Sequence, residues 1–374
     1  MIHEQRIVDE FLELIQLDSE TKNERAIADL LKKKFTDLGL DVVEDDAAKK
    51  TGHGAGNLVC TLKGTKDNAD PIYFTSHMDT VVPGKGIKPS IKDGVIVSDG
   101  TTILGADDKA GLAAILEAIR TIKDQDLEHG LVQVVIPVGE ESGLVGSKAL
   151  DVSLMKAKYG FALDSEGAVG HIVTAAPTQA KLYVGVNGKT AHAGVAPEKG
   201  VSAITLAAKS ISRMPLGRID KDTTANIGSF RGGQQTNIVC DRVEIVAEAR
   251  SLVPEKMEKQ VAAMKDAFEK TAEEFGGSAE VEVKIMYPGY RFEDGDEVVE
   301  VAKKAIRSIG RKPELEESGG GSDANVIAGH GIPTVNLSIG YEDIHTTNEK
   351  MPIAELVKTA ELVLSIIKTV AEEC

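Results

Sequence analysis

Apolar positions along this chain follow two different periods, and the period changes near residue 178 and again near residue 287. Residues 2–16 carry apolar side chains at helical spacing and predict a helix. Thr21-Lys22-Asn23-Glu24 fits a capping box for a second helix, with Gly39 as its stop. Short apolar runs predict strands near 57–63, 71–76 and 93–98, and a helix follows from about Asp107 to Ile122. Residues 131–138 and 159–163 are almost continuously apolar, the pattern of strands buried on both faces. Helices alternating with such strands predict a sheet covered on both sides.

The middle of the chain alternates instead. Strands are expected at 180–187, 225–230, 236–252 and 279–286. Helices are expected near 201–213 and after Pro254, which suits a first-turn position, as far as Gly276-Gly277. The order β-α-β-β-α-β is the split-βαβ, ferredoxin-like arrangement. After Tyr287-Pro288-Gly289 the helix and strand pattern of the first third returns, ending in a helix over about 352–372. The expected fold class is therefore α/β. A three-layer α/β/α domain built from residues 1–177 and 287–374 receives a smaller α+β domain, residues 178–286, as an insertion.

Composition narrows the function. The 374 residues carry a formal net charge of −16, which argues against nucleic acid or an anionic membrane as partner. No apolar stretch is long enough to span a bilayer, and the charged, helix-patterned N-terminus does not read as a signal peptide. Cys60, Cys240 and Cys374 are far apart and form no C-x-x-C. A sparse, odd count suits a reducing compartment, so a cytoplasmic protein is expected, with packing as the role of Cys60 and Cys240.

Candidate chemistry lies just past the apolar runs. His77 and Asp79 form an H-x-D after the run ending at Ser76, and Asp107 opens a helix within Gly105-Ala106-Asp107-Asp108-Lys109. Glu140 and Glu141 follow the buried run ending at Gly139, Asp164 follows Phe161-Ala162-Leu163, and His345 lies beyond the run 334–340. If these runs are neighbouring parallel strands, the groups meet at one carboxyl edge, where open α/β sheets bind ligands. Two imidazoles and several carboxylates in one place call for cations. Taken singly, each has a plainer reading: Asp107 as a helix cap, Glu140-Glu141 as a solvated turn, Asp164 as a turn former and His345 as a surface histidine.

The order H-x-D, G-x-D-D-K-x-G, E-E, D and a distant His resembles the co-catalytic zinc exopeptidases, the family of peptidase T, the glutamate carboxypeptidases and the aminoacylases. The resemblance spans essentially the whole chain, and Leu104 to Gly111 looks most like the peptidase T motif. It implies two Zn2+ per subunit, with Co2+ or Mn2+ as substitutes. His77, Asp107 and Asp164 would hold one ion, and Asp107, Glu141 and His345 the other. Asp79 would orient His77 by accepting its far ring N–H. Glu140 would be the general base and acid. A cis peptide is implied after the bridging aspartate, at Asp107–Asp108.

In the inserted domain, Gly188 to Gly194 resembles the segment whose histidine, here His192, reaches the substrate carbonyl of a neighbouring subunit. Asn237 and Arg250 match substrate-binding positions, Arg250 through a planar fork suited to a peptide carboxylate. Gly320, within Gly319-Gly320-Gly321, could offer backbone N–H groups to a carboxylate.

The resemblance thus implies a small-peptide substrate, an aminotripeptidase activity, a homodimer through the inserted domain and hinged closure of the two domains. A zinc carboxypeptidase or an N-acyl amino acid amidohydrolase on the same scaffold stays open, as does a non-catalytic peptide-binding protein.

Overall fold

A computed structural model describes residues 1–372, so Cys374 lies outside the described residues. The chain divides into two units. One contains Met1–Ala175, Phe292–Ser318 and the chain from Ser322 onward; the other contains Ala176–Arg291 together with Gly319–Gly321.

In the first unit the buried runs form the middle of one sheet. Strands Val132–Ile136, Ile72–Thr75, Tyr159–Ser165 and Thr334–Ser338 lie side by side in that order, all parallel. Leu58–Leu62 pairs antiparallel with Val132–Ile136, and Asp41–Glu44 extends that edge, so the sheet is mixed. At the other edge His171–Ala176 runs antiparallel to Thr334–Ser338, with Glu314–Glu317 parallel beside it.

Successive side chains of a strand face opposite sides. Ile72 and Phe74 accordingly join the large core with helices Glu4–Gln16, Ala106–Asp124 and Ile353–Glu372, while Tyr73 joins Leu150 and Ile327 on the far side. Both faces are covered, which gives the three layers. Phe74 meets Phe161 with ring centroids 5.7 Å apart. Gly160 lies against the Tyr73 ring so closely that a Cβ there would sit 2.0 Å from Cδ1.

The second unit is an antiparallel sheet whose strands run in the order Gly217–Arg218, Thr223–Gly232, Arg242–Ser251, Thr178–Asn187 and Ser278–Tyr287. Alternate positions Ala180, Leu182, Val184 and Val186 are buried with Met257, Met264 and Phe268, beneath helices Ala203–Ser212 and Pro254–Glu274. Tyr183 and Ile285 point to solvent. This is the ferredoxin-like order, with a two-residue edge strand added.

Three expectations change. Helix Arg25–Asp37 has no side-chain cap at its start, because the Glu24 carboxylate accepts the N–H groups of Lys22 and Gly54 instead. The strand expected over 236–252 begins only at Arg242, because Ile238 makes a separate bridge with His192 and the Val239 N–H donates to the Ala191 carbonyl. The inserted unit also takes in Gly319–Gly321. A Cβ on Gly321 would sit 2.3 Å from the Tyr287 ring, so that glycine packs directly against the ring. No helix among the described residues is long and apolar enough to cross a membrane.

Candidate metal centre

The four central strands bring their following segments to one edge of the first unit. His77 comes just after Ile72–Thr75, Glu140 and Glu141 after Val132–Ile136, and His345 beyond Thr334–Ser338, while Asp164 is the penultimate residue of its own strand. Asp107 enters at the start of helix Ala106–Asp124, where Asp107 and Asp108 have non-helical backbone angles and the peptide between them is cis.

The Asp107 carboxylate stands between two imidazoles. Its Oδ1 is 3.0 Å from His77 Nε2, and its Oδ2 is 3.0 Å from His345 Nε2. His345 Nε2 is also 2.9 Å from Glu141 Oε1. Donor atoms of His77, Asp107 and Asp164 lie within 4.8 Å of one another, as do those of Asp107, Glu141 and His345, and those of His77, Glu140 and Glu141. All five expected ligands and Glu140 thus meet in one place.

The surrounding backbone fixes each group. Gly139 (φ 58°) turns the chain directly against His53, where a Cβ would be 2.4 Å from Nε2. His53 Nε2 lies 3.0 Å from Ser142 Oγ on the same turn. Asp108 accepts the His77 N–H at 3.2 Å, and its own carbonyl accepts the Ser76 hydroxyl. Asp164 is held by the Tyr341 hydroxyl on Oδ1 at 3.0 Å and by Asn336, whose side chain bonds both its N–H and its carbonyl.

Asp79 faces the far ring nitrogen of His77, more closely through its backbone than through its carboxylate. His77 Nδ1 is 3.0 Å from the Asp79 backbone carbonyl and 3.6 Å from its Oδ1, so the ring hydrogen bond goes to the main chain. The Asp79 carboxylate also accepts the N–H groups of Glu140 at 3.0 Å and Glu141 at 3.3 Å. It orients the glutamate pair directly.

Burial pushes the carboxyls of Asp164 and Glu140 well above their ordinary values, the His77 charge opposing and neighbouring carboxylates adding to the effect. Burial likewise raises Glu141. Asp323 is pushed up to about 6 by burial, against a hydrogen bond from Ser147, and its Oδ1 has no hydrogen-bond partner. Asp107 is the exception: hydrogen bonds from His345 and His77 outweigh its desolvation and hold it low. Those same contacts with Asp107 and Glu141 take His345 up to about 10.

This is an acid-rich cluster short of positive charge. It offers oxygen and imidazole nitrogen donors and no thiolate, with one carboxylate presenting an oxygen to each side. That donor set fits a pair of divalent cations sharing Asp107.

The remaining expected residues lie in the inserted unit, in two places. His192 and Asn237 are neighbours: the Ala193 N–H donates to the Asn237 carbonyl at 2.9 Å, and His192 Nδ1 accepts the Gly194 N–H at 3.2 Å. Arg250 stands with the glycine tract of Gly320, donating from Nε to Glu248 Oε1 at 3.0 Å and from a terminal nitrogen to the Gly319 carbonyl at 3.4 Å. Cys60 is buried, and Cys240 is half-buried with its thiol toward the Arg242 carbonyl.

Sequence reasoning missed Asp108, Asp323, Asn336, Tyr341 and Glu349. Asn336, a polar residue inside an apolar strand run, was the one visible signal among them.

Residues 73–369 match the family model for peptidase family M20/M25/M40. The fold superposes on aminopeptidase PepT from Bacillus cereus ATCC 10987 with a TM-score of 0.95, at 70% identity over 99% of both chains. A tripeptidase from Staphylococcus aureus Mu50 superposes with a TM-score of 0.97, at 55% identity over the whole of both chains. The Bacillus subtilis protein YXEP, a dinuclear metal-binding peptidase of the M20 family, shares the fold with a TM-score of 0.74 at 17% identity, over 98% of this chain and 99% of that one.

Proposed function

The chain belongs to peptidase family M20/M25/M40 and is a peptidase, and from that premise we propose that it is an aminotripeptidase, releasing the N-terminal residue of tripeptides. The observation that carries the chemistry is Asp107, with each carboxylate oxygen 3.0 Å from a different imidazole and Glu140 beside the cluster. The similarity to a tripeptidase at 55% identity supports the choice of substrate.

His77, Asp107 and Asp164 would hold one divalent cation, and Asp107, Glu141 and His345 a second. Zinc is proposed for both, since nitrogen and oxygen donors without sulfur suit it along with cobalt and manganese. When bound, such a pair supplies Lewis acidity to a water and to the scissile carbonyl. Glu140 takes the proton of the attacking water and returns it to the departing amine. Asp79 keeps Glu140 and Glu141 aligned by holding both their backbone N–H groups.

We assign substrate contacts to the inserted unit: His192 to the carbonyl oxygen as negative charge develops on it, Asn237 beside it, and Arg250 with Gly320 to the peptide carboxylate. Assembly as a homodimer through that unit, with His192 serving the neighbouring subunit, is part of the same reading. A cytoplasmic location is supported by the sparse cysteines.

The test compares a free tripeptide with its N-acetylated form, alongside metal content per chain. Cleavage of the free peptide at its first bond, with about two Zn2+ per chain, is expected. Preference for the acetylated form would replace the proposal with an acylase, and release of the C-terminal residue would replace it with a carboxypeptidase. Chelation should abolish turnover, and added Zn2+, Co2+ or Mn2+ should restore it.

A further inference from the structure

Glu349 is a buried carboxylate at the base of an exposed loop. Thr346, Thr347 and Asn348 are exposed, while Glu349 is 1% exposed. A carboxylate is seldom taken out of water unless donors replace the water. Here all the donors are main-chain groups of one short segment. Oε2 accepts the N–H groups of Leu104 at 2.7 Å and Gly105 at 2.8 Å, and Oε1 accepts that of Asp107 at 3.0 Å. Gly105 (φ 77°) bends the backbone so that these N–H groups face the same side, as in an anion-binding nest. Lys109, itself fully buried and donating to the Leu17 carbonyl at 3.2 Å, adds its charge near Glu349, Asp18 and Asp79.

The same loop carries His345. It is closed by a reciprocal pair of backbone hydrogen bonds between Glu342 and Lys350, both 3.0 Å, and it continues into strand Lys350–Pro352, which pairs with Val95–Val97. One anchored loop therefore grips Asp107 twice. Glu349 holds the Asp107 main chain, and His345 faces the Asp107 carboxylate at 3.0 Å.

We infer that Glu349 is a positioning residue for the cation pair: it sets the backbone of Leu104 to Asp107 so that Asp107 can present one oxygen to each imidazole. The inference rests on the proposed metallopeptidase reading. A glutamine at this position keeps one acceptor oxygen but turns an amide donor toward the remaining N–H, so one side of the grip becomes repulsive.

The test measures Zn2+ affinity of the full chain by competition with a chelator, with kcat and KM for one tripeptide. The unsubstituted protein is measured first. If it binds no stoichiometric Zn2+, the metallopeptidase reading fails and takes this inference with it. Given binding, Glu349→Gln is expected to weaken Zn2+ about 10–100-fold and to lower kcat by a similar factor, with KM little changed. Unchanged affinity and kcat would overturn the inference, even with a lower melting temperature.

Glu342→Gln serves as the control, since the Glu342 side chain is exposed and pairs with Lys350. It should leave Zn2+ affinity intact. An equal loss there would show that any disturbance of the loop suffices, and would overturn a specific role for Glu349. Should Glu349→Gln not fold, amide hydrogen exchange of the unsubstituted protein decides. The N–H groups of Leu104, Gly105 and Asp107 should be as protected as those of the core helix that follows, and fast exchange at them would refute the grip.

Discussion

Buried carboxylates around the candidate metal cluster and carboxylates on the surface of the inserted unit are anchored by different means. In the first unit Asp79, Asp108, Glu24 and Glu349 accept main-chain N–H groups, donors that cannot rotate away. In the inserted unit Glu248 meets Arg250, Glu274 meets Arg213 and Asp220 meets Lys256, all cationic side chains near the surface. Long exposed pairs of that kind are weak and adjustable. On the proposed reading, a centre presenting several atoms to two cations would need the first kind of anchor, whereas a surface receiving different peptides would tolerate the second.

Four substitutions would break or sharpen this contrast. Glu140→Gln is expected to cost the most, about 10²- to 10⁴-fold in kcat, while metal content per chain is preserved. Steady-state kinetics with metal analysis reads it, and retained turnover would remove Glu140 from proton transfer. Asp79→Asn should come next, at about 10–100-fold in kcat with KM steady, because one of the two N–H groups it holds would face an amide donor. A rise in KM with kcat intact would mean that Asp79 belongs to substrate binding instead.

In the inserted unit, Arg250→Ala should act the other way round, raising KM about 10-fold or more while kcat changes little. If kcat falls and KM does not, the contrast between rigid centre and adaptable surface fails at that position.

The smallest effect concerns Glu44, a carboxylate of the first unit held mainly by side chains. Against its desolvation, hydrogen bonds from Arg25, Lys32 and the Gly56 N–H bring its carboxyl down to about 2 from 4.5. A lowered folded value means stability that is present above about pH 4.5 and lost as pH falls toward about 2. Arg25 and Lys32 are substantially exposed, so solvent screening holds the contribution to about 1 kcal/mol or less. Urea denaturation should show Glu44→Gln slightly less stable at pH 6 and indistinguishable near pH 2; a gap that widens on acidification would refute the assignment.

Much of the first unit could be read from sequence because its buried strands are continuous apolar runs and His77, Glu140, Glu141 and Asp164 lie at or shortly past their ends, whereas Asp107 opens a helix and His345 lies further along the chain. Periodicity does not say which atom of a residue makes a contact. The residue after Met78 was expected to hold His77 through its carboxylate, yet its main-chain carbonyl is the closer acceptor and the carboxylate, 3.6 Å from the ring, also takes the N–H groups of Glu140 and Glu141. Contacts between remote segments leave no local trace either. Tyr341 and Asn336 hold Asp164, and Glu349 holds Leu104 to Asp107, across long stretches of chain. The Thr21 to Glu24 box failed for the same reason, since Gly54 competes for Glu24. In the inserted unit strand alternation was legible, but the late start of the third strand at Arg242 was not, because Ile238-Val239-Cys240 carry strand-favouring side chains while Ile238 bridges to His192 instead.

The placement of Gly319–Gly321 bears on any attempt to handle the inserted unit by itself. A polypeptide cut at residues 176 and 291 would carry every strand and helix of that unit, yet would lack Gly321, which lies against Tyr287, and Gly319, which gives Arg250 a carbonyl to bond. Tyr287 is 7% exposed in the whole chain, and the cut would uncover its ring. A separable version therefore needs the tripeptide grafted back through a linker, or a smaller polar side chain in place of the tyrosine.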